Sequence, residues 1–236
     1  MRLLLFGVTG GTGAQLLSQA LATGHRVTAV ARDPARVRTA DPKGGPPAGG
    51  PGAGPSGGYG SPGARLTVLR GDALAPEGWR EAVAGHDAVV SCLGSTDRRH
   101  PTTVYSQGTR HLVEAMRASG VRRLLCLSSA GLDATPDLPL PQRLVTRHVI
   151  QRLYRHGYAD MARMEGLLSS AVAEETLWTV VRPPMLTDGP STGRYRTVIG
   201  GHLERPKSLS RADLAHCLLG LVEDPRTHRT VVEAAY

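Results

Sequence analysis

A short glycine-rich stretch near the N-terminus constrains this chain most. The apolar run from Leu3 to Phe6 is followed by Gly-Val-Thr-Gly-Gly-Thr-Gly and then by a helical pattern. A pyrophosphate can approach the backbone closely only where side chains are missing, and a helix that begins there offers free N–H groups and a positive dipole end. We predict a dinucleotide-binding loop in which Gly7 makes the tight turn, Gly10 the close approach and Gly13 the helix-to-strand packing.

The residues after this loop complete a strand–helix–strand unit. Apolar side chains between Gln15 and Leu21 fit one helix face, Gly24 ends the helix, and Arg26 to Ala31 is predicted to be a second strand. The phosphate loop of nucleoside triphosphatases is the alternative, but it needs a lysine directly after its last glycine. Alanine stands there in this chain, so the pattern favours a dinucleotide.

The end of the second strand predicts which dinucleotide is bound. An arginine there binds a ribose 2′-phosphate, whereas an acidic residue binds the 2′-hydroxyl. Asp33 precedes Pro34, which is typical of the cap of a turn, so Arg32 is the better candidate for the adenosine side. Arg32, with Arg36 beside it, predicts NADP rather than NAD. A solvated turn is the alternative interpretation of Arg36.

Composition bounds the architecture and the location. A chain of 236 residues with 40% hydrophobic content can bury one substantial α/β core, and we predict a single domain over residues 1–236. Residues 41–64 are nearly all Gly, Pro, Ala and Ser and are predicted to be a flexible surface insertion. The sequence contains neither a membrane-spanning apolar run nor a cleavable signal pattern, which predicts a cytoplasmic protein.

The net charge of +8 invites a nucleic-acid interpretation, which we do not favour. The 28 basic residues include only two lysines, Lys43 and Lys207, and such a bias reflects genome composition more often than function. No helix-turn-helix, zinc-finger or aromatic-rich sheet pattern accompanies the charge. The three cysteines, Cys92, Cys126 and Cys217, lie far apart in apolar segments and predict reduced thiols. No metal site is predicted.

Strands and helices alternate along the rest of the chain. Further strands are predicted at Arg65–Leu69, Asp87–Leu93, Arg122–Leu127, Trp178–Val181 and near Val231, and Tyr195–Ile199 belongs to a tail that would close one side of the ligand site. Helices are predicted at Trp79–Ala84, Val104–Ser119, Asp160–Ala173 and Arg211–Leu221. Apolar strands separated by helices indicate a doubly wound, parallel α/β sheet, the Rossmann fold. Ligands of such sheets bind over the carboxyl ends of the strands.

Several of these motifs together resemble a known family. They are Gly7–Gly13, Ala31-Arg-Asp33, Gly71-Asp72-Ala-Leu, Leu93-Gly94, Pro101-Thr-Thr-Val, Leu127-Ser-Ser-Ala130, Val181-Arg-Pro-Pro184 and Asp188–Gly193. The chain resembles the atypical short-chain dehydrogenase/reductase group that includes the biliverdin-IXβ reductase/flavin reductases. The resemblance implies an NADPH-binding monomer that passes hydride to a flavin or a similar conjugated small molecule.

The resemblance also implies roles for individual residues. Those assigned to the coenzyme are Gly7, Thr9, Gly10, Thr12, Gly13, Arg32, Asp72, Gly94 and Ser128. Ser129 matches the serine close to the nicotinamide and the substrate and is the candidate catalytic residue. The family's substrate-site histidine falls at Met185, which cannot carry a proton, so a bilin substrate is not favoured. Met185 and Leu186 are expected to present an apolar face to a flat acceptor.

The residue inventory limits the chemistry. Ordinary short-chain reductases protonate a developing alkoxide with a Tyr-x-x-x-Lys pair, and neither lysine of this chain follows a tyrosine at that spacing. Tyr154, His156, Tyr158 and Asp160 are only isolated candidates in the corresponding region. Hydride transfer to a flavin, quinone or other conjugated acceptor needs mainly positioning, because solvent can supply the proton afterwards. Two alternatives stay open: a non-catalytic NADP-binding redox sensor, and a biosynthetic reductase of one specific metabolite.

Overall fold

The computed structural model describes residues 1–38, 65–132 and 151–236. Its strands are β1 (Arg2–Phe6), β2 (Arg26–Ala31), β3 (Leu66–Arg70), β4 (Ala88–Ser91), β5 (Arg123–Leu127), β6 (Leu177–Arg182), β7 (Met185–Thr187), β8 (Arg196–Ile199), β9 (Ser208–Ser210) and β10 (Thr230–Ala235). Its main helices are α1 (Gly11–Ala22), α2 (Ser106–Ser119), α3 (Arg155–Leu168) and α4 (Arg211–Val222). The predicted insertion at 41–64 lies outside the described residues, and the single-domain boundary stays a prediction.

Eight of these strands form one sheet in the order β3-β2-β1-β4-β5-β6-β10-β8. The neighbours pair in parallel except β8, which lies antiparallel to β10 at the edge. The chain winds outward from β1 in both directions, so the carboxyl ends of β1 and β4 flank the point where the winding direction reverses. The predicted doubly wound α/β fold is confirmed.

The alternation of β1 explains why both faces of the sheet are covered. Successive side chains of a strand point to opposite faces. Leu3 and Leu5 pack in a cluster with α1 and α4, whereas Leu4 and Phe6 pack in a second cluster with α2 and α3. All four side chains are essentially inaccessible to solvent. An uninterrupted apolar run is therefore a strand buried on both sides, as parallel sheets require.

Two local predictions were wrong, and two short strands were not predicted. Two 3-10 turns, Pro76–Gly78 and Arg80–Val83, replace the helix expected at Trp79–Ala84. The buried Trp79 fixes this crossover, because its ring meets Phe6 edge-on at 4.8 Å and its Nε1 donates to the Asp72 carbonyl at 2.7 Å. Helix α3 begins and ends earlier than its predicted Asp160–Ala173 boundaries. Strands β7 and β9 pair as a separate small sheet. They were not predicted, because three residues are too few to show the alternation of apolar and polar side chains that marks a strand.

Arg123 fastens the helical layer to the sheet from a buried position at the start of β5. Its guanidinium donates to the carbonyls of Leu221 at 2.5 Å and Val222 at 2.8 Å at the end of α4. It also donates to the Leu177 carbonyl and to the hydroxyls of Thr179 and Thr227. Burial lowers the pKa of Arg123 to about 10. The side chain stays charged at neutral pH and satisfies carbonyls that the helix terminus leaves unpaired.

The three cysteines are free thiols, as predicted. Burial raises the pKa of Cys92, Cys126 and Cys217 to about 12 in each case. Each is therefore a protonated thiol at neutral pH and a poor nucleophile. None of the helices within the described ranges is long and apolar enough to cross a bilayer.

Candidate functional site

An open cleft of about 580 Å³ lies at the carboxyl ends of β1 to β4. Six of the predicted coenzyme residues line it: Gly7, Thr9, Gly10, Arg32, Asp72 and Gly94. Residues from four separate chain segments thus meet where the fold class predicts a ligand. Cys92 and the Ser95–Asp97 segment complete the wall beyond Gly94.

The glycine loop is shaped by steric need at two positions. Gly7 has φ +77°, and a Cβ there would collide with the carbonyl of Cys92 and lie 2.9 Å from the Leu93 nitrogen. A Cβ on Gly13 would collide with the Gly7 carbonyl oxygen and lie 2.8 Å from the Val8 Cα. Only glycine lets β1, the loop and the first turn of α1 pack this closely. The predicted turn and packing roles of Gly7 and Gly13 thus have a steric basis.

The first turn of α1 is open to an anion. Gly10 is the N-cap, and its own N–H donates to the Gly7 carbonyl at 3.0 Å. Within the described residues no side chain caps this end by a hydrogen bond, and its first turn carries no acidic residue. The N–H groups and the positive dipole end of α1 are therefore available to a phosphate. Thr12 and Gly13 lie in this turn and are buried, so they do not line the cleft itself.

The end of β2 separates the roles of its charged residues. The Asp33 carboxylate accepts a hydrogen bond from the Ala35 N–H at 3.1 Å and caps the 3-10 turn Pro34–Arg36, as predicted. Arg32 and Arg36 both line the cleft. In the described part of the chain, neither arginine makes an ion pair with a carboxylate. Two guanidinium groups are thus free to meet a phosphate at the adenosine end.

The remaining predicted residues, Ser128, Ser129, Met185 and Leu186, do not line this cleft. Ser128 is buried after β5, and its hydroxyl has no hydrogen-bond partner among the described residues. The Ser129 hydroxyl accepts from the Gly131 N–H at 3.2 Å. Met185 is 71% exposed at the start of β7, and Leu186 packs against the α1–α4 core. The apolar face that Met185 and Leu186 are expected to present to the acceptor stays a prediction.

Sequence reasoning missed the surroundings of Ser129. A Cβ on Gly131 would collide with the Tyr158 hydroxyl and lie 3.4 Å from the Ser129 Oγ, so the two hydroxyl groups flank one glycine. The Tyr158 ring stacks on Tyr154 at 5.8 Å, and Arg98 lies 4.7 Å over the Tyr154 ring. Tyr158 was interpreted from the sequence as an isolated candidate. The helix that carries Tyr158 follows β5 in the chain, and this order is the signal from which its position near Ser129 could have been predicted.

Buried carboxylates hold the surrounding loops. Asp160 is wholly buried and accepts from the Tyr105 N–H at 2.9 Å and from Arg163 at 3.1 Å. It fixes the start of α2, where the Tyr105 hydroxyl in turn accepts from the Ser95 N–H at 3.2 Å. Burial raises the pKa of Tyr105. Asp160 is thus a structural anchor beside the cleft rather than an acid within it.

Asp213 fastens the segment Asp188–Gly193 to α4. It accepts from the N–H groups of Thr192 and Gly193 at 2.8 Å each, from the Thr192 hydroxyl at 2.7 Å and from the Tyr236 hydroxyl at 2.6 Å. Burial alone would raise the pKa of this carboxyl, but the hydrogen bonds donated by Tyr236, Thr192 and Gly193 outweigh it and lower the pKa. The resulting carboxylate is a fixed junction of three chain segments.

Comparison with known proteins gives this cleft a context. The model of a family described as NAD(P)H-binding matches residues 60–225, a span that begins after the glycine loop. A 3-diazoavenalumate denitrifying reductase from a Streptomyces species is 30% identical over 224 residues, which are 88% of this chain and 65% of that protein. The chain thus spans less than two thirds of the length of this relative.

Solved structures of similar fold extend the comparison. A short-chain dehydrogenase/reductase from Veillonella parvula in complex with NADP is 17% identical, with a TM-score of 0.70 over 100% of this chain and 94% of the other. The anaerobillin reductase ChuY from Escherichia coli O157:H7 is 21% identical, with a TM-score of 0.67 over 100% of this chain and 97% of the other. At these identities the likeness establishes a shared fold.

Proposed function

The chain belongs to the NAD(P)H-binding family, and on that premise we propose that it is an NADPH-dependent reductase of a flat, conjugated small molecule. The observation that carries the proposal is the cradle at the end of β1. There the backbone packs so closely that no side chain fits at Gly7 or Gly13. The start of α1, which no side chain of the described residues caps, lies at the cleft. A diphosphate fits such a cradle because it needs N–H donors and close backbone approach.

The coenzyme residues of the proposal follow from their places along the cleft. The loop from Gly7 to Gly13 would hold the diphosphate, Arg32 the 2′-phosphate and Asp72 the adenine side. Gly94 and the buried hydroxyl of Ser128, which has no hydrogen-bond partner in the described part of the chain, would lie toward the nicotinamide ribose. When bound, NADPH would supply hydride to the acceptor. Arginine suits a 2′-phosphate because its guanidinium can donate two parallel hydrogen bonds.

The acceptor end supports positioning rather than acid catalysis. Ser129 and Tyr158 present hydroxyl groups beside Gly131, and no lysine stands four residues after Tyr158 to complete the Tyr-x-x-x-Lys pair. These groups can orient a polar edge of the acceptor while the stacked Tyr154 and Tyr158 rings offer an aromatic surface. A flavin or quinone fits this arrangement because its accepted charge is delocalised and solvent can protonate it. Effective molarity of this kind supplies roughly 7 kcal/mol of barrier reduction.

A second acceptor class is an aromatic diazo compound. The Streptomyces relative, at 30% identity, is a reductase that acts on such a compound. Replacing a diazonium group by hydride releases dinitrogen and consumes no proton, which suits a chain without the Tyr-x-x-x-Lys pair. In this form the protein would be a biosynthetic reductase of one specific metabolite. We further propose that it acts as a cytoplasmic monomer that binds neither nucleic acid nor a membrane.

The test of function is direct. Purified protein is mixed with NADPH and, in separate reactions, with FMN, FAD, a soluble quinone or an aryl diazonium salt, and the loss of the nicotinamide absorbance band is followed. We expect oxidation above the protein-free rate with at least one acceptor. Tight NADP binding with no oxidation by any of the four would instead identify a redox sensor. Protein that binds neither the phosphorylated nor the unphosphorylated coenzyme would refute the proposal.

The coenzyme preference is tested at Arg32. Arg32→Ala should weaken NADPH binding by about 10- to 100-fold, the worth of one charge-assisted phosphate contact, and leave NADH binding nearly unchanged. Calorimetric titration measures both affinities. Arg26→Ala is the matched control, because Arg26 is an exposed arginine at the opposite end of the same strand. An equal loss of affinity for both coenzymes would show that Arg32 does not bind the 2′-phosphate.

A further inference from the structure

An arginine from α4 reaches the glycine loop from the far end of the chain. Arg211, the first residue of α4, crosses the first residue of α1. A Cβ on Gly11 would lie 2.6 Å from the Arg211 Cδ, 3.0 Å from its Nε and 3.9 Å from its Cζ. The missing side chain at Gly11 is therefore the space that the Arg211 side chain occupies. Its Nε therefore lies close to Gly11 at the start of α1, the helix end that the loop presents to a phosphate.

The backbone of Arg211 is held firmly. Ser210 caps α4 through its hydroxyl, which accepts from the Asp213 N–H at 2.9 Å. The Gln19 side-chain amide on α1 donates to the Ala212 carbonyl at 2.9 Å and ties the two helices together. These contacts fix the stem of Arg211 at the mouth of the loop.

The charged end of Arg211 is held weakly. Its Nη1 lies 2.5 Å from the Asp188 Oδ1, but the Asp188 side chain is 85% exposed and that of Arg211 is 32% exposed. Surface ion pairs of this kind contribute little, because water solvates both partners well. The guanidinium can therefore leave this carboxylate at small cost for a ligand of higher negative charge.

We propose that Arg211 is a coenzyme-binding residue that contacts the diphosphate across the start of α1, and that Asp188 competes with the diphosphate for it. The inference rests on the proposed placement of the coenzyme at the glycine loop. An arginine opposite a helix N-terminus places positive charge on two sides of a diphosphate. Arg32 distinguishes NADPH from NADH, whereas Arg211 meets the diphosphate that both coenzymes share.

The experiment measures the dissociation constants of NADPH and NADH by calorimetric titration. Arg211→Gln should weaken both coenzymes by the same factor, about tenfold or more, and leave their ratio unchanged. Asp188→Asn should tighten both, because it removes a competing negative charge. Both effects should shrink at high salt, which screens charges exposed to solvent. Arg226→Gln is the control, since Arg226 is an exposed arginine that pairs with Asp224 beyond the other end of α4.

The outcomes separate this inference from the proposed function. Wild-type protein that binds neither coenzyme refutes the proposed function. Wild-type protein that binds both while Arg211→Gln binds them equally well refutes only the role of Arg211, as does a loss confined to NADPH. If Arg211→Gln fails to fold, Asp188→Asn carries the test by itself and should tighten the binding of both coenzymes. Unchanged affinity in that variant would likewise overturn the inference.

Discussion

The substitution Gly13→Ala tests the steric basis of the coenzyme loop. The new Cβ would lie 2.7 Å from the Gly7 carbonyl carbon and 2.8 Å from the Val8 Cα, whereas ordinary contact begins near 3.4 Å. Both partners are backbone atoms, so no side chain can turn aside to make room. Helix α1 and the loop must therefore separate by at least 0.7 Å, the difference between 2.7 and 3.4 Å.

This separation has a cost in stability and a larger cost in binding. Overpacking of this kind costs about 3 kcal/mol at the upper end of its range, and alanine returns about 1 kcal/mol through its better helix propensity. The net loss of about 2 kcal/mol corresponds to a fall in Tm of about 4–8 °C for a chain of this length. A displacement approaching 1 Å in the loop should weaken NADPH binding on the order of 100-fold.

Thermal unfolding and calorimetric titration with NADPH measure the two effects. The matched control is Gly166→Ala in α3, where a Cβ meets nothing within 4 Å. It should raise the free energy of unfolding by about 0.5–1 kcal/mol and leave the NADPH affinity unchanged. Gly13→Ala protein with wild-type affinity for NADPH would contradict the argument that close packing at this glycine shapes the coenzyme site.

Three further predictions concern stability and the acceptor. Arg123→Met should lower the free energy of unfolding by about 3–5 kcal/mol in denaturant titration, because it orphans buried carbonyls, and a loss no larger than that of the exposed Arg122→Met would contradict this. The Asp213 carboxyl has a lowered pKa, so its contribution to the free energy of unfolding should be full above about pH 4 and should fade at lower pH. The difference in Tm between wild type and Asp213→Asn should therefore become smaller in acid. A difference that stays constant with pH would contradict this prediction. Met185→His should raise turnover of a flavin or bilin at unchanged NADPH affinity, and a loss of that affinity would mean that this residue supports the coenzyme loop.

Local physics explains what could be predicted from the sequence. The strand Arg26–Ala31 has its predicted boundaries because a β-branched, apolar run between a helix-ending glycine and a charged turn has one stable conformation. The spacing of Gly7, Gly10 and Gly13 reflects backbone sterics within seven residues of chain. Asp33 caps its turn through a hydrogen bond from a residue only two positions further along the chain. Each of these signals lies within the segment that it organises, so the sequence alone determined the fold class and the conformation of the glycine loop.

Contacts between distant segments were decided only by the tertiary structure. Arg211 occupies the space above Gly11 from 200 positions away, and no local period encodes which arginine fills it. Tyr158 meets the Ser129 loop because α3 packs against the sheet, and β7 finds β9 although neither has enough residues to signal a strand. The crossover at Trp79 follows a buried ring rather than helix propensity. Periodicity and backbone sterics act over a few residues, whereas these features depend on which segments the packed core brings together.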